Sequence, residues 1–304
     1  MLNFLNLIRW KNLLLIILTQ LLIKYALFDA FNVDTRLDDF GFALLVIATV
    51  CIAAAGNIIN DIYDIETDTI NKPNKVIVGK SISEQIAFNL FIILTIVGVG
   101  VGFILSNMID KSSFSAVFII VSALLYVYAS TLKQTLLVGN IVISFLVAMS
   151  ILIIGIFDLV PVITPENKQT QLTFFEILRD YAVFAFMINF LRELVKDVED
   201  IDGDHNAGMK TLPIVIGRER AIKVIFTLSL IPLFVITYYI ITYLYKQQLA
   251  VGYFLIFIIA PLLYFTVKTF SANTKKELHH LSFILKLVML FGVLSLLLYP
   301  FILK

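Results

Sequence analysis

The sequence has little of the charge on which soluble proteins depend. Only 15% of its 304 residues are charged, while 60% are hydrophobic. Soluble domains have about 25% charged residues, so the composition argues against that class of protein. The single cysteine, Cys51, excludes a disulfide framework or a cysteine metal site within one chain. Basic tracts with interleaved aromatic residues are also absent from the sequence, and we therefore expect no nucleic-acid partner.

Long apolar runs separated by short polar segments make up the chain, which is the pattern of a polytopic helical membrane protein. A span needs about 20 largely apolar residues. Nine spans are predicted, at 12–31, 41–60, 84–106, 113–130, 136–157, 180–198, 221–245, 250–268 and 281–303. The first run lacks a convincing small-residue cleavage site, so we interpret it as an uncleaved span. The longest polar stretches are 61–83, 158–179 and 197–220.

These runs predict an all-α fold, in which about nine transmembrane helices form one domain over residues 1–304. We expect the helices to surround a central cavity that is open to the cytoplasm. If the N-terminus is cytoplasmic, fifteen of the 23 Lys and Arg residues lie on the cytoplasmic side. The positive-inside rule therefore favours this orientation, with the C-terminus outside. We expect an integral protein of the plasma (inner) membrane, surrounded by membrane lipids.

An acidic cluster follows the second span, at residues 60–68. Ionisable groups next to hydrocarbon are costly, and they usually mark function. If the helix continues, its step of about 100° per residue brings four polar side chains onto one face, while Glu66 lies on another. These four residues are Asn60, Asp61, Asp64 and Asp68.

A second acidic cluster follows the sixth span, at residues 197–204. Four carboxylates share an arc of about 60° if the helix persists, namely Glu193, Asp197, Asp200 and Asp204. Glu199 and Asp202 are expected to point away from this arc. Gly203 is expected to end the helix early, which makes Asp204 the least secure member.

Carboxylates on adjacent helical turns repel each other, and a divalent cation is the simplest partner that would reconcile them. An oxygen-rich ligand set with almost no histidine suits magnesium, manganese or calcium. Magnesium is usually held by one or two carboxylates together with substrate phosphates. A solvated helix end with excess acid is the alternative for either cluster alone. Two clusters on the same side of the membrane favour the metal site.

Basic residues lie near both clusters. Lys72 and Lys75 follow the first cluster, and Lys133 lies in the predicted inner loop between spans four and five. A lysine at a cytoplasmic helix end is often only a topology signal. Arg192 and Lys196 differ, because they lie about a turn inside an apolar run. They either offset neighbouring acids or contact phosphate oxygens.

A metal, cations and a cavity inside the membrane together suggest an isoprenoid diphosphate as substrate. Its anionic head would bind through magnesium, and its hydrocarbon tail would lie in the cavity. Loss of the diphosphate would leave an allylic cation in a dry, aromatic-rich pocket. The 26 Phe and 12 Tyr residues supply rings for such a pocket, although the sequence singles out none of them.

Two segments resemble the aspartate motifs of the UbiA superfamily of intramembrane prenyltransferases. Residues 60–73 (NDIYDIETDTINKP) are similar to the first motif, and residues 200–208 (DIDGDHNAG) to the second. The resemblance implies magnesium-dependent transfer from a polyprenyl diphosphate donor, with two ions bridged by the diphosphate. One ion would be held by Asn60, Asp64 and Asp68. The other would be held by Asp200 and Asp204.

The resemblance also implies further substrate contacts, with Asp61 and Asp197 in supporting roles. Lys133 is similar to the family lysine that contacts the diphosphate. Arg9 and Asn12 are similar to the family's N-terminal site motif. The implied substrate-binding set is Arg9, Asn12, Asn60, Asp61, Lys72, Lys75, Lys133, Arg192, Lys196 and Asp197. The resemblance implies no protein partner.

The residues from 192 to 213 are most similar to the branch that transfers geranylgeranyl to geranylgeranylglycerol phosphate in ether-lipid synthesis. One departure is that Lys75-Val76 stands where the family commonly has Arg-Pro, so the guanidinium fork is lost. The alternative acceptor is an aromatic compound, as in quinone biosynthesis.

Two other classes of protein are alternatives to the prenyltransferase. A cation-coupled secondary transporter would use the acids as a relay, but such relays usually lie near the midplane on broken helices. A CDP-alcohol phosphotransferase would need a Gly and Arg spacing that is missing after Asp64. His205, His279 and His280 are interpreted as solvated loop residues rather than ligands.

Overall fold

A computed structural model describes residues 2–302, with side chains through Phe301. Met1, Leu303 and Lys304, and with them the predicted end of the ninth span, lie outside the described residues. Nine long helical segments, α1–α9, run through this part of the chain. They are α1 Trp10–Phe31, α2 Asp39–Tyr63, α3 Glu84–Met108, α4 Ser112–Ser130, α5 Val138–Val162, α6 Lys168–Glu199, α7 Arg218–Leu244, α8 Gln248–Ser271 and α9 Lys275–Phe301.

Eight of these segments are long and apolar enough to cross a membrane, and α6 has 32 residues but a more polar sequence. Residues 2–302 contain no β-strand, only an isolated bridge between Val78 and Ile82. The predicted all-α membrane fold with about nine long helices is therefore confirmed. Short helices complete it, at Leu2–Leu7, Ile65–Asn71, Ile201–Asn206 and Leu212–Ile216. A single 3-10 turn, Leu132–Gln134, joins α4 to α5.

The start of α6 is the largest error in the predicted boundaries. The helix begins at Lys168, whereas the apolar run predicted a start at 180 and a polar stretch over 158–179. Gln171, Phe174 and Leu178 are buried at helical spacing, so this segment is an amphipathic helix. Averaged hydropathy misses such a segment, because it counts polar residues without regard to the face they occupy.

Local sequence fixes several helix starts. The Asp38 carboxylate accepts a hydrogen bond from the Gly41 amide at the start of α2, and Ser83 caps α3 in the same way. Thr274 and Glu277 form a capping box at the start of α9. These caps satisfy amide donors that the first helical turn leaves free.

Small residues allow the helices at the centre of the bundle to approach closely. A Cβ added at Gly98 of α3 would lie 3.1 Å from the carbonyl oxygen of Ala48 in α2. Such contacts are typical of membrane helices, which associate through close packing rather than through exclusion of water. The α2–α3 pair forms one side of the bundle, and α6, packed between α5 and α9, forms the other.

A buried ion pair joins α1 and α5 near their C-terminal ends. The Lys24 ammonium donates to Asp158 at 3.1 Å, to the Leu37 carbonyl at 2.7 Å and to Thr35 at 2.9 Å. The second oxygen of Asp158 accepts from the Leu37 amide at 2.8 Å. Because the Lys24 ammonium finds all its hydrogen-bond acceptors within the protein, we assign this charge inside a span a structural role. The acidic clusters lie at the opposite end of the bundle.

Candidate active site

A cavity of about 1040 Å³ lies between the two halves of the bundle. Side chains from α1, α2, α4, α5, α6 and α9 line it, together with the short segments that follow α2 and α6. All fourteen residues predicted to form the site lie on its wall. They are Arg9, Asn12, Asn60, Asp61, Asp64, Asp68, Lys72, Lys75, Lys133, Arg192, Lys196, Asp197, Asp200 and Asp204.

Each acidic cluster contains a helix break at an aspartate. The helix α2 ends before Asp64 (φ −95°, ψ 3°), and the short helix Ile65–Asn71 follows. The helix α6 ends before Asp200 (φ −99°, ψ 8°), and Ile201–Asn206 follows. The prediction that Gly203 ends the second helix is therefore wrong, since the break comes three residues earlier and helix continues beyond the glycine. The chain turns at each break, and the two short acidic helices therefore face each other.

Gly203 lies where the two short helices touch. The Asn71 amide donates to the Asp200 carbonyl at 2.8 Å and accepts from the Gly203 amide at 3.0 Å. A Cβ on Gly203 would overlap Asn71 and lie 2.7 Å from the Thr67 carbonyl oxygen. The sequence reasoning did not assign Asn71, although it comes three residues after Asp68 and thus shares its helical face.

Gly203→Ala is expected to separate the two acidic helices. Alanine has a better helix propensity than glycine by about 1 kcal/mol, but the clash is partly with backbone, which cannot turn away. We expect overpacking of about 1–3 kcal/mol to prevail, lowering Tm and reducing turnover. The matched control is Gly100→Ala in α3, where an added Cβ meets nothing within 4 Å. Equal behaviour of the two variants in thermal unfolding and turnover would contradict this account.

Lysines neutralise one carboxylate in each cluster. Lys133 forms a salt bridge with Asp64, whose other oxygen accepts from Asn60 at 2.6 Å. Lys72 forms a salt bridge with Asp200 at 2.5 Å. Each lysine thus pairs with a carboxylate that would otherwise be free to bind a metal ion.

Asp68 and Asp204 have no ion pair or side-chain hydrogen bond among residues 2–302. Burial and the nearby Asp64 raise the pKa of Asp68 to about 6. Burial and the nearby Asp200 raise the pKa of Asp204 to about 7. Two half-buried or buried carboxyl groups without a partner suit a bound cation, because its positive charge would favour their ionised forms.

Within residues 2–302, no three Asp, Glu, His or Cys side chains lie close enough to form a ready-made metal site. The donor set nevertheless fits magnesium in kind, since it offers carboxylate and amide oxygens without sulfur. Magnesium commonly takes only one or two protein carboxylates and completes its shell with phosphate and water. The arrangement therefore suits an ion that arrives with a phosphorylated ligand.

Other charged groups lie along the same cavity. Arg9 donates to Asp61 at 2.7 Å. Glu193 accepts from Arg192 at 3.3 Å and from Lys196 at 2.9 Å.

Two acidic residues predicted to point away from the second arc behave differently. Glu199 in fact lines the cavity and lies 3.1 Å from His279, so that prediction is wrong. Asp202 lies off the cavity wall and pairs with Lys275 at 3.0 Å.

Two further features of the structure differ from the sequence-based expectations. Asn140 of α5 donates to Asp197 at 2.9 Å, a contact with no sequence signal because the two residues are 57 positions apart. The three histidines are exposed, as expected, but they lie in helices rather than loops. His205 belongs to Ile201–Asn206, and His279 and His280 belong to α9.

Behind the charged groups the cavity becomes apolar. Side chains of α2, α4 and α5 form this inner part, among them Ile52, Phe118, Leu125, Leu146 and Ile153. A space with charged groups at one end and apolar walls at the other suits an amphiphile with an ionic head and a hydrocarbon tail.

Comparison with known proteins identifies the family of the chain. The profile of the UbiA prenyltransferase family matches residues 21–290. Digeranylgeranylglyceryl phosphate synthase of Methanosphaera stadtmanae is 30% identical over 257 residues, covering 83% of this chain and 86% of that protein.

Two solved structures share the fold. A structure of digeranylgeranylglyceryl phosphate synthase in membranes gives a TM-score of 0.61 at 24% identity, covering 97% of this chain and 98% of the other. A UbiA homolog from Archaeoglobus fulgidus bound to GPP and Mg²⁺ gives 0.55 at 17% identity, covering 97% and 99%. The resemblance drawn from the two aspartate-rich segments is thereby confirmed, and the chain belongs to the UbiA prenyltransferase family.

Proposed function

We propose that this prenyltransferase moves a geranylgeranyl group from its diphosphate to geranylgeranylglycerol phosphate, forming the ether bond of a membrane lipid. The observation that carries the proposal is the contact between the two short acidic helices at the mouth of an apolar cavity. Sequence identity with the Methanosphaera synthase supports the choice of acceptor. Assignment to the family removes the transporter and the phosphotransferase as alternatives.

Two magnesium ions would be held at this mouth, one by Asn60, Asp64 and Asp68 and the other by Asp200 and Asp204. Bound magnesium neutralises charge on the departing diphosphate. The Archaeoglobus homolog, which binds GPP with Mg²⁺, supports this requirement.

The chain's own residues would position the diphosphate and its tail. When Asp64 and Asp200 bind magnesium, Lys133 and Lys72 would lose these ion-pair partners. Both lysines would then donate hydrogen bonds to diphosphate oxygens instead. An ammonium group near the bridging oxygen would favour departure of the diphosphate. The apolar inner cavity would hold the tail and exclude water from the reacting carbon.

The transfer itself exchanges one carbon–oxygen bond for another. The bond between donor C1 and the bridging oxygen breaks, and its electron pair stays with the diphosphate. A lone pair of the acceptor hydroxyl forms the new bond to C1, and the hydroxyl proton passes to the diphosphate.

We further propose that the chain acts as one domain in the plasma membrane, with its N-terminus and the charged cavity mouth in the cytoplasm. Most of the basic residues would then lie on the cytoplasmic side. Labelling of single introduced cysteines at the two ends of the bundle, in a Cys51→Ala background, would test this orientation.

Transfer assays test the choice of acceptor. Membranes containing the protein are incubated with labelled geranylgeranyl diphosphate and, separately, with geranylgeranylglycerol phosphate, an aromatic acid or a naphthoate. Labelled ether lipid is expected from the first acceptor alone. Prenylation of only an aromatic acceptor would overturn the proposal in favour of a quinone pathway.

A further inference from the structure

The charges on the cavity wall are separated into two groups. Near the contact of the short helices, the four carboxylates of Asp64, Asp68, Asp200 and Asp204 form ion pairs, among residues 2–302, with only two ammonium groups, those of Lys72 and Lys133. This group has an excess of negative charge, which fits a site for magnesium and the diphosphate. The other group has the opposite excess.

The second group lies where α1, α6 and α9 meet. Its cations are Arg9, Lys11, Arg192, Lys196 and Lys286, all on the cavity wall. Within the described part of the chain only two carboxylates form ion pairs with them, since Arg9 pairs with Asp61 while Arg192 and Lys196 share Glu193. The five positive charges therefore have two carboxylates as ion-pair partners, while the nearby carboxylate of Asp197 accepts a hydrogen bond from Asn140 instead. We name this group of five cations the cationic wall.

Lys286 is a half-buried cation of this wall that has no acidic partner among the described residues. It lies within α9 and forms no ion pair among the described residues, and its ammonium donates only to Asn12 Oδ1, at 2.7 Å. The charges that act on it are Arg192, Lys11 and Lys196, all positive. An ammonium has three N–H donors, so two remain for a ligand. A charge inside a span without an acidic partner is a functional-site candidate, and the fully satisfied Lys24 shows the contrast.

Arg192 adds an independent observation. Its Nε–H is buried and has no hydrogen-bond partner within the described residues. A buried donor without an acceptor is energetically costly, so a missing acceptor is implied. Guanidinium and ammonium groups together match the tetrahedral oxygens of a phosphate monoester, which carries two negative charges.

We propose that the cationic wall binds the phosphate of the lipid acceptor, separately from the donor's diphosphate. This inference deepens the proposed function and rests on it. With magnesium and the diphosphate held by the acidic group, the cationic wall remains available to a second anion. Its excess of positive charge would favour phosphorylated acceptors over lipids with an uncharged glycerol head.

Binding to this wall can be measured without turnover. Trp10 is the only tryptophan of the chain, lines the cavity and neighbours Lys11, so its fluorescence should report a ligand there. Titration with geranylgeranylglycerol phosphate is expected to change the signal. Lys286→Met should weaken this binding about tenfold or more, since a charge-assisted hydrogen bond is lost. Lys286→Arg should restore most of it.

Three comparisons make the test specific. Lys276→Met alters an exposed lysine of α9 that is off the cavity wall, and it should bind like wild type. Lys11→Met alters an exposed cation of the wall, and loss of an exposed side chain should leave the fold intact. This variant should also bind the acceptor more weakly. In turnover assays, Lys286→Met should raise KM for the acceptor and leave KM for the donor unchanged.

Unaltered acceptor binding in both Lys286→Met and Lys11→Met would overturn the inference. So would an equal loss of affinity for geranylgeranylglycerol lacking its phosphate, because that result indicates a structural role. Failure of the proposed function gives a different result, namely a wild-type protein that binds the phosphorylated lipid but transfers no prenyl group to it.

Discussion

Asp68→Asn is expected to reduce kcat about a thousandfold or more without destabilising the protein. The reason for the loss is that Asp68 would be a magnesium ligand, and removing several kcal/mol of charge stabilisation has an effect of this size. The fold should survive, because Asp68 has no ion pair or side-chain hydrogen bond among residues 2–302, so the change breaks no such contact. Turnover and thermal unfolding of the purified variant measure the two effects.

The pKa of Asp68 gives the stability effect a sign. Because burial and Asp64 raise this pKa to about 6, the folded state binds the proton more tightly than the unfolded state. The ionised group therefore destabilises the fold at neutral pH, and this cost disappears as the pH falls below the ordinary carboxyl pKa of about 4. Without magnesium, Asp68→Asn should have an equal or higher Tm than wild type at pH 7, and the same Tm near pH 4.

Glu66→Gln is the matched control, since Glu66 is exposed in the same short helix and lies off the cavity wall. Normal turnover is expected for it at every pH. An Asp68→Asn protein with near-normal activity would remove Asp68 from the metal site. An inactive protein with a strongly lowered Tm would show instead that Asp68 has a structural role.

The charged residues of the cavity wall can be predicted from the sequence, because charges next to apolar spans are costly and usually indicate a function. Asp64, Asp68, Asp200 and Asp204 stand out for this reason, and helical spacing alone puts each pair on one face. The number of spans followed from the length of the apolar runs. These features depend on local composition, which needs no knowledge of tertiary contacts.

Contacts between distant segments could not be predicted in this way. Nothing near Gly203 in the chain indicates that Asn71 lies against it, so from the sequence alone the glycine predicts a helix end. Helical geometry alone puts Glu199 off the acidic arc, but α9 packs against this end of α6, and the cavity extends to Glu199 beside His279. Lys286 does have a signal in the sequence, because a charge inside an apolar run implies a partner, but the sequence does not show what that partner is.

Removal of divalent cations is expected to abolish turnover and leave the protein folded. In a zinc finger, by contrast, the metal is part of the folding free energy. Here Lys133 and Lys72 already neutralise Asp64 and Asp200, so the fold does not need an ion. EDTA should therefore stop the reaction with little change in Tm, and added Mg²⁺ should restore it. Continued turnover in EDTA would contradict a metal requirement.

The same ion pairs predict how magnesium should bind. Magnesium alone must compete with two lysines, whereas magnesium with inorganic diphosphate gives those lysines new acceptors and supplies its own further ligands. The pair together should therefore raise Tm by clearly more than either alone, because a ligand stabilises the state to which it binds. Glu66→Gln should keep this joint increase, and Asp68→Asn should lose most of it. A full increase with magnesium alone would mean that the carboxylates form a complete cation site, and the lysines would then have no part in admitting the diphosphate.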